Sequence, residues 1–359
     1  MSDTEPEIQR TSDRLARRTP RPLRMRRRLT GVGVFLAAVV AVTAVVLASL
    51  HVHLPFGLSS ARPPKPRTSR STPPRKPVVT RTVTVSTLGS LAAPASRIAA
   101  VAFGTGGALF FGGDDASGNP IDTVQNFQAA TVTDAGTLPA PNASALAATL
   151  GPNIYIFGGL GSTIYELTGT SFTVAGTLPA TTADAAIATV GGTAYVIGGF
   201  TGSAELDTVV AYTPPATAQI VATLPAALRY PAAATIGGQV YIVGGSSAGI
   251  PSTVVYRFDP ATNAVTSIAT LPVARERESA AALGGKLYVI GGANATGART
   301  RAIYVIDPVS GGVRLAGILP VALSDTTAVS ESGEIIVAGG LTAAGAPSAG
   351  IYAVKVVGS

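Results

Sequence analysis

The side chains able to recognise or transform a ligand are concentrated in two recurrent kinds of loop. One kind leads into an alanine-rich run and carries Arg97, Asp184, Arg229, Tyr230, Arg275, Glu276, Arg277, Glu278 and Asp325. The other follows a Gly-Gly pair and carries Asp114, Asp115, Glu205, Arg299 and Arg301. Guanidinium groups, carboxylates and one phenol in that company suit recognition by charge-assisted hydrogen bonds. Tyr230 could stack on a sugar or seat a peptide. Charges also prefer exposed loops in general, and that plain reading accounts for the same residues. Nucleophilic and metal chemistry is thinly provided. The chain has no cysteine, which excludes thiolate catalysis, zinc–thiolate centres and disulfides. Its two histidines, His51 and His53, precede the repeated region, and no cofactor or metal is expected. The glycine pairs do not make a phosphate loop, since Gly285-Lys286 runs into Leu287 and a strand instead of Ser or Thr and a helix.

What must position these loops is a unit that recurs six times. The phrases "ALFFGG", "IYIFGG", "AYVIGG", "VYIVGG", "LYVIGG" and "IIVAGG" place their first glycines at Gly112, Gly158, Gly198, Gly244, Gly291 and Gly339, separated by 46, 40, 46, 47 and 48 residues. Leu138, Leu178, Leu224, Leu271 and Leu319, each followed by proline, stand 20 residues before the last five of these glycines. A constant half joined to a variable half is a structural repeat with loop insertions. The constant half reads as two short strands around a glycine turn. Its first strand is alanine-rich ("IAAVAF", "ALAATL", "AAIATV"), which alone would favour helix. Crowding of strands about a common axis explains alanine better. The variable half supplies two more strands around turns such as "DPATN" and "DPVSGG". Four strands in each of six units predict a six-bladed β-propeller. The last unit ends on its third strand, "AGIYAVKVVGS", so "RTVTVSTLGSL" (81–91) is expected to close the ring as its outer strand. In an antiparallel blade both loop types above emerge on one side, so their residues share a candidate binding face.

Over residues 81–359 the pattern resembles the kelch repeat, in the Gly pairs, in the tyrosine three residues before them (Tyr155, Tyr195, Tyr241, Tyr288) and in the Asp-Pro turn. It departs where Val265 and Val313 stand for the usual tryptophan, and where Leu109 and Ile336 replace the tyrosine. The resemblance implies that residues opening the first strand, near Arg97, Arg229 and Arg277, line a central pocket. It also implies that copper- or iron-dependent kelch chemistry is absent, because this domain lacks histidine and cysteine.

The N-terminal region sets the expected location. Residues 31–50, "GVGVFLAAVVAVTAVVLASL", are uncharged and about 30 Å long as a helix, enough to span a bilayer. Residues 11–30 carry eight Arg, against three Arg and one Lys in 51–70, which places the N-terminus inside. The apolar run is longer than a cleaved signal peptide's, so a signal anchor is expected. The domains are then a basic cytoplasmic tail (1–30), a transmembrane helix (31–50), a Pro/Arg-rich disordered linker (51–80) and an extracytoplasmic propeller (81–359). Residues 1–81 carry +12 and residues 82–359 carry −5, so the overall +7 does not belong to the folded domain. Nucleic acid is therefore not an expected partner. The Arg- and Ala-rich, Lys-poor composition suggests a high-GC actinobacterium, and the sequons at Asn142 and Asn294 are then coincidental. The expected function is non-catalytic recognition of a cell-envelope glycan or protein. The alternatives are a carbohydrate-active enzyme built on a propeller and a structural spacer.

Overall fold

The structure, a computed structural model, describes residues 83–357. The basic tail, the apolar run 31–50 and the linker lie outside them. The described residues are strands and turns without a helix. They form six antiparallel sheets, five with strands in chain order from the centre outward. The innermost strands are Ala99–Ala102, Ala145–Leu150, Ala186–Val190, Arg229–Ile236, Ser279–Leu283 and Thr327–Glu331, and we number the blades in that order. Blade 6 is completed by the N-terminal strand Val83–Ala95, which pairs with Ser348–Val356 from Val83 opposite Val356 to Ala95 opposite Ser348. The closure expected from 81–91 is therefore present, and it runs four residues further.

Packing explains both the alanines and the ring. Six buried clusters lie between consecutive blades, and the sixth joins blade 6 to blade 1 through Leu91, Ile336, Phe110 and Phe127. Along an inner strand successive side chains point to opposite faces, so each strand serves two junctions. Ala232 and Ala234 pack toward blade 5 while Ala233 packs toward blade 3. Inner strands stand closest to one another, and larger side chains on both faces would force them apart. Tertiary crowding thus overrides alanine's helical preference. Further out there is room for rings: Tyr195 meets Phe258 edge-on at 5.2 Å, and Tyr155 meets Tyr212 at 5.9 Å. At the tryptophan positions, Val265 and Val313 fill the corresponding junctions with less bulk.

The glycine pairs lock each inner hairpin to the loop that enters the next blade. In five blades the N–H of the second glycine donates to a loop carbonyl, as in Gly159 to Thr182 O at 2.8 Å and Gly292 to Leu323 O at 2.8 Å. The first glycine has φ near +60°, and a Cβ on Gly158 would strike the Thr182 carbonyl. Gly191, in the turn between the first two strands of blade 3, has a similar φ of 58° but open space around it. Gly158→Ala is accordingly expected to cost about 3 kcal/mol and Gly191→Ala about 1 kcal/mol. Equal losses in urea titrations of the two variants would contradict the steric part of this account.

Candidate functional site

One residue at the entry to each inner strand turns its backbone into the left-handed region. These are Arg97, Ser144, Asp184, Tyr230, Arg277 and Asp325, with φ between 53° and 60°. None is glycine, so each carries the strain of an L-residue held there. A chain of backbone bonds connects them around the axis. Arg97 N–H donates to Asp325 O (2.9 Å), Ser144 to Arg97 (3.2 Å), Tyr230 to Asp184 (2.7 Å), Arg277 to Tyr230 (3.3 Å) and Asp325 to Arg277 (2.8 Å). Between blades 2 and 3 the link is made by side chains instead, Ser144 Oγ donating to Asp184 Oδ1 at 2.7 Å. The six residues form an annulus at the mouth of a central cavity of about 550 Å³ whose deeper wall is the alanine-rich inner strands.

Around the annulus, arginines are anchored on buried carboxylates. Arg277 Nη1 donates to Asp325 at 2.8 Å, Arg229 Nε and Nη2 reach Asp184 at 2.8 and 2.6 Å, and Arg97 pairs with Asp114. In each pair the acid is nearly fully buried while the arginine keeps about a third of its surface exposed. Burial holds the Asp114 carboxyl above its usual range despite the neighbouring Arg97. Tyr230 lies under two guanidinium groups, Arg277 at 3.5 Å and Arg229 at 4.5 Å from its ring centroid, and Arg229 also covers Phe200 at 4.0 Å. Its phenol is raised, first by burial and then by the Asp184 carboxylate. The mouth therefore offers guanidinium donors fixed by pairs that leave it close to charge-balanced.

Six glycine-pair hairpins, each held by the entry loop of the next blade, are one motif used six times. A family profile described as the Kelch motif matches residues 181–215 and 227–272, in blades 3 and 4. The chain is a six-bladed β-propeller whose blades 3 and 4 carry the Kelch motif. A solved structure titled "Structure of YjhT" shares the fold, with a TM-score of 0.66 at 15% sequence identity over 74% of this chain and 96% of that one. No curated protein matches the sequence.

Within this propeller the candidate residues separate. Arg97, Asp184, Tyr230, Arg277 and Asp325 are on the annulus, and Arg229 and Asp114 pair with its members. In blade 4 the annular residue is Tyr230 and not Arg229, which stands one position earlier. Tyr230 is also not a free stacking surface, since the two arginines occupy it. Arg299 is on the rim of blade 5, bridged to Ala293, and its guanidinium is tied down, donating from Nε to Ser324 Oγ at 2.9 Å. Arg301 is exposed on the outer part of blade 5, bonded to Leu319 O. Arg275 is only 3% exposed, donates to Gly291 O at 2.9 Å and lies over Tyr304, so it belongs to the junction of blades 4 and 5. Charge alone could not tell a loop tip from the end of a strand whose alternation turns inward. Ser144 was missed because it is uncharged. Its signal was available in the repeat, since it stands 47 residues after Arg97 and 40 before Asp184. Lys286, which follows a glycine pair, is bound to Asp307 at 2.7 Å. Asn142 of the first sequon spends its amide on Gly158 O and Leu160 N–H, both at 3.0 Å.

Proposed function

We propose that this kelch propeller is a non-catalytic binding module that takes part of a cell-envelope glycan or protein into its central mouth. The observation that carries the reading is the annulus itself. Six strained residues, with arginines pinned by buried carboxylates, surround a cavity large enough for a ligand group. Strain of this kind is retained where the surrounding structure has a use for it. A concave apolar cavity with a few convergent polar groups is the usual form of a binding site. A membrane-tethered, N-in arrangement is part of the proposal and rests on the N-terminal sequence.

The test is a binding screen of the full-length chain against cell-wall glycans and envelope proteins. For any ligand found, Arg277→Ala is expected to weaken binding on the order of a hundredfold, the loss typical of a buried charged anchor. Removing the arginine leaves Asp325 buried without its partner, so the variant is also expected to lose about 2 kcal/mol of stability while remaining folded. Retained affinity in a folded Arg277→Ala protein would remove the mouth from consideration. Robust turnover of a glycan by the parent would establish the enzymatic alternative.

A further inference from the structure

The rim around the mouth is built alike in five blades and differently in one. In five, the residue after the glycine pair forms bridges on both sides and raises a short wall beside the annulus. Asp114 bridges Ser96 and Pro120, Phe200 bridges Ala183 and Glu205, and Ala293 bridges Glu276 and Arg299. Ser246 and Leu341 do the same in blades 4 and 6. In blade 2 only Leu160, Gly161 and Ser162 separate Gly159 from the next strand, and no such bridge forms. This short loop accounts for the 40-residue interval in the repeat. Its place is taken by the Asn142 side chain, which ties Gly158 O and Leu160 N–H together.

Two further features coincide with the missing wall. The annular residue of blade 2 is Ser144, the smallest of the six. The annulus is also interrupted there, since Ser144 O and Asp184 N–H do not bond to each other as their counterparts do. The mouth is therefore lowest, and its backbone least satisfied, on one side. Where blade 2 lacks the wall, its entry loop and its third strand leave a groove of about 170 Å³ lined by Leu138, Pro139, Pro141, Leu160 and Tyr165. Leu160 is 61% exposed at its edge.

We infer that the groove beside blade 2 is a second subsite, occupied by an apolar side chain of an extended polypeptide whose neighbouring residues lie in the central mouth. This rests on the binding reading above and narrows its ligand from glycan or protein to a protein segment. The chemistry of the two places decides the class. The groove is walled by leucine, proline and a tyrosine ring, and the amide of Asn142 is already spent, so it has little to offer the hydroxyls of a sugar. It suits one aliphatic or aromatic side chain, whose burial there is favourable. At the gap, the Ser144 carbonyl and the Asp184 N–H have no backbone partner among the described residues, and they offer an acceptor and a donor to the backbone of an extended chain, as in strand addition. Arg97 and Asp184 flank Ser144 with opposite charges, a pairing that a polypeptide carrying both signs can answer. The low rim lets the chain pass from mouth to groove without climbing a wall.

The experiment is selection of linear peptides from a random displayed library against the full-length protein in detergent micelles, followed by affinity measurements on the variants. Selected peptides are expected to share an apolar residue and to lose binding with Arg277→Ala. Leu160→Glu should weaken them about tenfold or more, whereas Leu160→Met should not. Grafting residues 293–299 in place of 160–162, which restores a wall, should have the same effect as Leu160→Glu. Unchanged melting of the Leu160 variants would show that folding is intact. Peptides that need Arg277 but ignore both Leu160→Glu and the graft would overturn the subsite and leave the mouth reading standing. Arg277-dependent glycans with no selectable peptide would overturn the polypeptide assignment alone. Ligands of either class that ignore Arg277 would bring down both.

Discussion

Replacing Glu278 with Gln is expected to stabilise the propeller at pH 8 and to abolish most of the loss of stability that the parent shows between pH 4.5 and 8. In five blades the second glycine's N–H is held by a backbone carbonyl, but Gly245 in blade 4 donates to Glu278 Oε1 at 3.3 Å. That carboxyl is 6% exposed, and its Oε2 has no partner among the described residues. Burial pushes it up to about 8 from the usual 4.5, with its own backbone N–H, then Arg275 and the Gly245 N–H, pulling the other way. Above pH 4.5 the unfolded chain releases this proton while the native state keeps it. The native state then binds more protons, so stability falls as pH rises and levels off above the folded value near 8. The displacement sets an upper bound of about 5 kcal/mol on the effect, and a loss of about 2–3 kcal/mol is the working expectation. Glutamine keeps the acceptor for Gly245 and cannot ionise. Urea unfolding of parent and Glu278→Gln at pH 5 and pH 8 measures the difference. Identical pH slopes for the two proteins would mean that Glu278 titrates in its native site much as it does in the unfolded chain.

Removal of the closing strand is expected to have an equally large effect. Val83, Leu91 and Ala95 are 3%, 4% and 0% exposed, and the strand pairs along its length with Ser348–Val356. Without it, blade 6 has three strands, an open edge and two uncovered junctions, since Val83 packs with blade 5 residues and Leu91 with blade 1. A chain beginning after Ala95 should melt more than 10 °C lower, or without cooperativity, and associate through the exposed edge. The milder Leu91→Ala should cost about 2–5 kcal/mol and stay folded, which separates loss of closure from failure to express. A truncated protein that melts as the parent does would show that the ring holds without its clasp.

The repeat made the blade number, the hairpins and the closing strand legible because each is a local pattern. A glycine with positive φ, an apolar strand and a Leu-Pro turn identify themselves wherever they stand. The alanine strands were legible only once the repeat was seen, since their own propensity points to helix. The charged loops pointed to one face, but not to which charges reach its centre. Arg229 and Tyr230 are adjacent in sequence, yet one is an annular residue and the other its neighbour's counter-ion. Arg275 and Arg277 are two residues apart, yet one is buried at a junction and the other lines the mouth.

By itself the sequence determined the architecture, because six copies of one short-range pattern admit one way of burying their faces, against each other in a closed ring. Only the tertiary structure decided the site. It joined residues 40–48 positions apart into one annulus, paired Arg97, Arg229 and Arg277 with particular acids, and left blade 2 without a wall. The physical reason is the reach of the forces. Turn chemistry and strand alternation act over a few residues, whereas burial, desolvation and ion pairing depend on which distant segments the ring brings within a few ångströms.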